Sequence, residues 1–226
     1  MIARANRPAG ALRKALFCAV TALAGLCGAA FPDAATGPVH AAKSERVVLA
    51  GGCFWGMEAV FDRLAGVLNV VPGYAGGNAA TAHYLLVSTG TTGHAESVEI
   101  AFNPAKISFA QLLEVYFEVA HDPTQVDRQG PDFGTQYRSA IFYTTPEQRR
   151  VALDAIRQLE RAGVFSAPIA TQVVPLTAFY PAESYHRHYV ENHPDDGYVV
   201  ENDLPKLARL RQEFPRLLKP QGTSKS

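Results

Sequence analysis

Arg46-Val47-Val48-Leu49-Ala50-Gly51-Gly52-Cys53-Phe54-Trp55-Gly56-Met57 is the stretch on which the fold turns. Arg46 to Ala50 is a short apolar run ended by two glycines, the pattern of a buried strand. Phe54, Met57, Phe61 and Leu64 then recur at helical spacing, with Gly66 able to close the helix. Working outward, Val67 to Tyr74 reads as a second strand stopped by Ala75-Gly76-Gly77. Ser97 to Phe102 places Val98, Ile100 and Phe102 on one face, the period of a half-buried strand. Ser108-Phe109-Ala110-Gln111 is a capping box opening a helix with the apolar stripe Phe109, Leu112, Leu113, Tyr116 and Phe117. Ser139 to Tyr143 is a further strand, and Thr145-Pro146-Glu147-Gln148 starts a helix that Gly163 follows. Ala170 to Leu176 reads as the last strand and Leu204 to Leu218 as a helix broken near Pro215. The order β-α-β-β-α-β, then α and β, predicts an α+β fold. Its core is a ferredoxin-like split βαβ arrangement, with a mainly antiparallel sheet and helices on one face. Long loops at 78–96 and 121–137 are expected to be functional.

The chain of 226 residues balances 21 Lys+Arg against 21 Asp+Glu. This leaves no basic excess to draw it to nucleic acid. Arg4, Arg7, Arg13 and Lys14 precede an uncharged run from Ala15 to Phe31, and Val39-His40-Ala41 is a small-residue exit site. Residues 1–41 therefore read as a signal peptide, 42–219 as one domain and 220–226 as a loose tail. The alternatives are an uncleaved anchor, at the short edge of the ~17–25 residues that span a bilayer, and a lipoprotein at Cys27, which the bulky Leu26 before it disfavours. Removal of the leader takes away four basic residues and Asp33, moving the formal charge from 0 to −3 and leaving 185 residues. It also takes away Cys18 and Cys27. The exported protein, periplasmic in a cell with two membranes, then has no stable membrane span and one cysteine, Cys53, so it cannot form an intramolecular disulfide.

Cys53 sits where a strand ends and a helix begins, so unpaired N–H groups and the positive end of the helix dipole converge on its sulfur and favour the thiolate. The alternative is a buried cysteine packing as an inert small hydrophobe. Glu96 precedes Val98, Ile100 and Phe102 by an even spacing, which aims its carboxyl inward, where burial would keep it protonated and able to act as an acid. A solvated strand-end glutamate is the bland alternative. His94 offers Cys53 a base for a cysteine-hydrolase reading, which the spacing does not test. Tyr84 and Tyr137 can donate to an oxygen that gains negative charge, although scattered tyrosines are more often packing residues. Glu183, His186, His188 and His193 suggest zinc. Because His186 and His188 do not share a helix face, a solvated polar segment is the better explanation.

Six segments in register carry a resemblance: Gly52-Cys53-Phe54-Trp55-Gly56, Gly73-Tyr74-Ala75-Gly76-Gly77, Thr92-Gly93-His94-Ala95-Glu96, His121-Asp122-Pro123-Thr124-Gln125, Asp132-Phe133-Gly134-Thr135-Gln136-Tyr137-Arg138-Ser139 and Phe179-Tyr180-Pro181-Ala182-Glu183. From about Val47 to Tyr198 the chain resembles the peptide methionine sulfoxide reductase A family. The resemblance implies reduction of the S epimer of methionine sulfoxide, free or in proteins, on an α/β core related to the ferredoxin-like arrangement. It implies Cys53 as nucleophile and Glu96 as acid. Tyr84 and Tyr137 would bind the sulfoxide oxygen, Phe54 and Trp55 would receive the methyl group, and Asp132 would help shape the site. No bound cofactor or metal is implied.

Attack by Cys53 on the sulfoxide sulfur would leave a sulfenic acid, which another thiol must reduce. Many family members carry a resolving cysteine, but no cysteine follows Cys53 here, and Ser88 stands where some relatives have one. The expected reductant is therefore external: a thioredoxin-like protein, another thiol, or dithiothreitol in vitro. The rivals to a reductase repairing oxidised exported proteins are the Cys53/His94 hydrolase and a non-catalytic module that recognises oxidised methionine through Phe54 and Trp55.

Overall fold

A computed structural model describes residues 44–220. The leader, with the anchor and lipoprotein alternatives, and the tail beyond residue 220 lie outside the described residues. Strand β1 (Glu45–Gly51) runs into helix α1 (Phe54–Asp62), followed by β2 (Val67–Ala75) and the one-turn helix α2 (Tyr84–Val87). Then come β3 (Ala95–Phe102) and α3 (Phe109–Val115), which widens into a π-helical turn at Tyr116–Ala120. A two-strand hairpin, β4 (Arg128–Gln129) and β5 (Asp132–Phe133), leads to β6 (Ser139–Tyr143) and α4 (Pro146–Arg161). The chain continues through β7 (Gln172–Pro175), β8 (Phe179–Pro181) and α5 (Tyr189–Asn192). A second π turn (Val199–Asp203) leads into α6 (Leu204–Glu213).

One sheet has the order β7-β6-β1-β3-β2-β8, antiparallel at every pairing except β6–β7. The expected α+β class and mainly antiparallel sheet are observed. Period two sorts the sheet's side chains onto two faces. Val47, Leu49, Val98, Ile100 and Phe102 pack with α1, α3, α4 and α6 through Met57, Phe61, Leu112, Leu113, Leu159 and Leu210. On the opposite face Val48, Ala50, Ala95, Ala140 and Phe142 form a smaller cluster, with Phe179 against it and no helical residue in it.

The local signals act as read. Ser108 Oγ accepts the Gln111 N–H at 3.2 Å while Gln111 Oε1 accepts the Ser108 N–H at 2.9 Å, a reciprocal capping box. Thr145 Oγ1 accepts the Gln148 N–H at 3.1 Å, and Gln148 Nε2 donates to the Arg46 carbonyl at 2.7 Å, tying α4 to β1. The first helix differs at its end: α1 stops at Asp62, and Gly66, with φ +95°, makes the later turn into β2.

Candidate active site

Gly51 and Gly52 let β1 turn into α1. Gly52 has φ +90°, and a Cβ there would lie 2.5 Å from the Gln129 side chain, so the elbow needs glycine for both backbone and space. Cys53 is the N-cap of α1 and is 8% exposed. Its ionisation departs from the expectation that the helix N-terminus favours the thiolate. Burial raises the thiol pKa well above its ordinary value, and the Glu96 and Asp203 carboxyls raise it further. The opposing influences, a hydrogen bond from the Trp55 backbone N–H and the Lys206 ammonium, are smaller.

Glu96, opposite Tyr74 in the β2–β3 ladder, turns inward as its even spacing required and is 2% exposed. Its Oε2 accepts the backbone N–H of Phe54 at 3.2 Å, which joins the carboxyl to the first turn of the helix that carries Cys53. Burial raises its pKa to about 8 despite that hydrogen bond, with Asp132 adding in the same direction, so the group is mostly protonated at neutral pH.

A cavity of about 290 Å³ opens beside these groups. All seven residues expected in the site line it: Cys53, Phe54, Trp55, Tyr84, Glu96, Asp132 and Tyr137. Burial, and then the charge of Glu96, raises the phenol pKa of both Tyr84 and Tyr137, so both stay protonated as donors. Phe54 is buried against His186, ring centroids 4.9 Å apart. Trp55 stacks on Tyr189 at 3.6 Å and 8°, and meets the edge of Tyr198 at 5.9 Å. Asp132 accepts the Tyr198 hydroxyl at 2.5 Å. The arrangement sets a thiol, a protonated carboxylic acid and two phenols against an aromatic wall.

Asp196 and Tyr198 complete the cavity and were not singled out from the sequence. Glu183 and His186, which the sequence offered only as zinc candidates, act instead as positioning residues. Glu183 Oε1 accepts the Tyr84 N–H at 3.0 Å and its Oε2 accepts the Tyr74 hydroxyl at 2.8 Å, which fastens α2 to β2. His186 corrects the expectation of a solvated polar segment: it is 1% exposed, and its Nδ1 accepts the Trp55 indole N–H at 3.0 Å. Indole, phenyl and Tyr84 phenol all pack on this imidazole. Among the described residues no group of three or more His, Cys, Asp or Glu side chains is placed to hold a metal ion.

The hydrolase pairing finds no support in this geometry. His94 is buried outside the cavity, its Nδ1 accepting the Gly77 N–H at 3.2 Å and its Nε2 lying 3.0 Å from the Asn78 carbonyl. Both ring nitrogens are occupied by the backbone that follows β2, and neither serves Cys53.

Residues 45–217 match the family model described as peptide methionine sulfoxide reductase. The chain is 54% identical over 179 residues to peptide methionine sulfoxide reductase MsrA 2 of Synechocystis sp., covering 79% of this chain and 84% of that relative. It is 52% identical over 176 residues to the MsrA of Thermus thermophilus, covering 78% and 98%. Among solved structures, methionine sulfoxide reductase A of Corynebacterium diphtheriae aligns with TM-score 0.60 at 36% identity, covering 67% of this chain and 76% of that one. Reduced Mxr1 of Saccharomyces cerevisiae aligns with TM-score 0.61 at 34% identity, covering 69% and 88%.

Proposed function

Because the chain belongs to the peptide methionine sulfoxide reductase family, we propose that it reduces the S epimer of methionine sulfoxide, free or in proteins, through a sulfenic acid on Cys53. The observation that carries this reading is Glu96: a buried carboxyl with pKa about 8, hydrogen-bonded to the helix turn that bears Cys53 and lining the same cavity. A sulfoxide oxygen leaves only if protonated, so a reductase of this kind needs an acid that keeps its proton at neutral pH.

The roles then follow. The substrate methyl group packs against Phe54 and Trp55, and the Tyr84 and Tyr137 hydroxyls donate to the sulfoxide oxygen. Asp132 holds the Tyr198 wall in place. As the Cys53 sulfur bonds to the substrate sulfur, Glu96 delivers its proton to the oxygen, and its carboxylate takes the proton that the thiol loses. The substrate S–O bond breaks as its protonated oxygen leaves as water, a water molecule then attacks the Cys53 sulfur, and the S–S bond breaks to release the thioether and leave the sulfenic acid on Cys53. In sum, a thiol and a sulfoxide give a sulfenic acid and a thioether, with two electrons passing from Cys53 to the substrate sulfur and no net change in protons. An external thiol, from a thioredoxin-like protein or dithiothreitol, then attacks the sulfenic acid, releases water and forms a mixed disulfide that a second thiol reduces.

The basic, apolar and small-residue order of residues 1–41 supports export, and hence repair of oxidised proteins outside the cytoplasm. The finer fold reading, a ferredoxin-like split βαβ core, draws support from the antiparallel order β6-β1-β3-β2.

The test supplies the protein with dithiothreitol and each sulfoxide epimer separately. Methionine should form from the S epimer alone, and Cys53→Ser should abolish it. Binding without turnover would favour a recognition module, and turnover surviving in the serine variant would end the proposal.

A further inference from the structure

We propose that Asp203 and Lys206 form a positioning pair behind the first turn of α1, in which Lys206 supplies the positive charge that steadies the Cys53 thiolate during attack and Asp203 holds that charge in place. The inference rests on Cys53 being the nucleophile. It goes further by naming the side-chain cation that, beside the Trp55 N–H, acts against the carboxyls around the thiol.

The geometry is close. Gly56 lies three residues beyond Cys53, one turn along the same helix. A Cβ on Gly56 would stand 2.1 Å from Asp203 Oδ1 and 2.8 Å from Lys206 Nζ, so the pair rests directly on the α1 backbone and glycine is what admits it. Asp203 is fully buried, at 0% exposure, and Lys206 Nζ lies 3.2 Å from its Oδ1. Among the described residues its Oδ2 has no hydrogen-bond partner. A buried carboxylate left half satisfied is costly and calls for a reason in the fold. Holding an ammonium, itself only 18% exposed, against the nucleophile's helix is such a reason.

Three charged side chains act on the thiol: Glu96 on β3, Asp203 at the end of the π turn and Lys206 on α6. The Tyr84, Tyr137, Tyr189 and Tyr198 hydroxyls also feel the charge on Cys53. Asp132 and Asp196 act on Asp203, while Lys206 acts on Asp132 and the buried imidazole of His121. Carboxyls dominate this list, and Glu96 itself becomes negative once its proton has gone to the substrate. Lys206 is the cation that opposes them.

The pair makes a prediction of opposite signs. Cys53 ionisation is read in the full chain from the pH dependence of alkylation by iodoacetamide, followed on the Cys53 peptide by mass spectrometry. This needs no turnover and stays interpretable even if the reductase reading fails. Lys206→Met should move the profile to higher pH and slow alkylation at pH 7 about 3–10-fold, the size of a shift of up to one pKa unit. Asp203→Asn should move it to lower pH, and Lys206→Arg should restore it. A merely structural pair would lower stability in both variants without opposite movements of the profile. The proposal fails if Lys206→Met leaves the profile in place, or if both variants move it the same way. Should Lys206→Met not fold, Lys206→Gln takes its place: a shift of the profile to higher pH sustains the proposal, and no shift or a fall overturns it.

Discussion

At the scale of single residues, the proposed chemistry depends on a carboxyl that is hard to ionise beside a thiol that is also hard to ionise. Glu96 reaches a pKa of about 8 because burial outweighs the one N–H it accepts. In its role as acid it must carry a proton, so kcat/KM for sulfoxide reduction should fall as pH rises through about 8, which a pH-rate profile with dithiothreitol would show. Glu96→Gln should slow single-turnover reduction about 10²–10⁴-fold, the usual contribution of a positioned acid, while substrate binding stays close to wild type. An unchanged rate would remove Glu96 from that role. The same burial sets a stability signature. Its folded pKa is raised above 4.5, so the folded state binds the proton more tightly, and this contribution is complete below about 4.5 and lost as pH rises through about 8. Glu96→Gln should therefore gain stability relative to wild type between pH 5 and pH 8.5, measured by urea denaturation at the two values. Glu58, whose pKa burial raises to about 7, titrates in both proteins and cancels from the comparison. The inward aim of Glu96 was legible because a strand's period of two is strict. The state of Cys53 was not, because the helix-terminus argument is local while burial and the charges of Glu96 and Asp203 come from elements distant in the chain.

At the scale of elements, the site is held by the β1–α1 elbow on one side and by irregular chain on the other. Gly52 combines φ +90° with a side chain of Gln129 lying where its Cβ would go, and Gln129 is itself fixed by paired hydrogen bonds to the backbone of Asp122. Gly52→Ala should cost about 1–3 kcal/mol in unfolding free energy. It should lower kcat/KM by more than that loss of stability explains, because the displaced elbow carries Cys53. Equilibrium denaturation run beside the sulfoxide assay separates the two effects. The elbow was readable from Gly51-Gly52 between two periodic runs, as were both helix caps. The opposite wall was not. Phe179–Pro181 is three residues long and becomes a strand only because β2 offers an edge. His186 closes a 3-10 turn, Tyr189 opens the four-residue helix α5, and Asp196 and Tyr198 lie just before the π turn, segments too short to carry an apolar period. The fixed points there are long-range contacts, such as the Trp55–His186 hydrogen bond, which no local pattern encodes.

At the scale of the whole molecule, the sheet brings residues from Cys53 to Tyr198 around one cavity, yet it supplies no second thiol. The sequence has three cysteines, Cys18, Cys27 and Cys53, and Cys53 is the free cysteine of the described residues. If the leader is removed, nothing in the chain can condense with oxidised Cys53, and in the proposed cycle the sulfenic acid waits for an outside thiol. Cys53 is 8% exposed and lines the cavity, so a reductant should reach it by the path the product has just vacated. Protein lacking residues 1–41 and treated with one equivalent of the S sulfoxide in the absence of reductant should therefore stop after one methionine. Trapping with dimedone followed by mass spectrometry should find close to one sulfenic acid per chain, on Cys53, with no intramolecular disulfide. Adding dithiothreitol or a thioredoxin-like protein should restart turnover, and preformed product left in the cavity should slow that restart. An intact leader would bring Cys18 and Cys27 back as internal partners. A disulfide from Cys53 to either of them would replace the external-thiol cycle with an internal one.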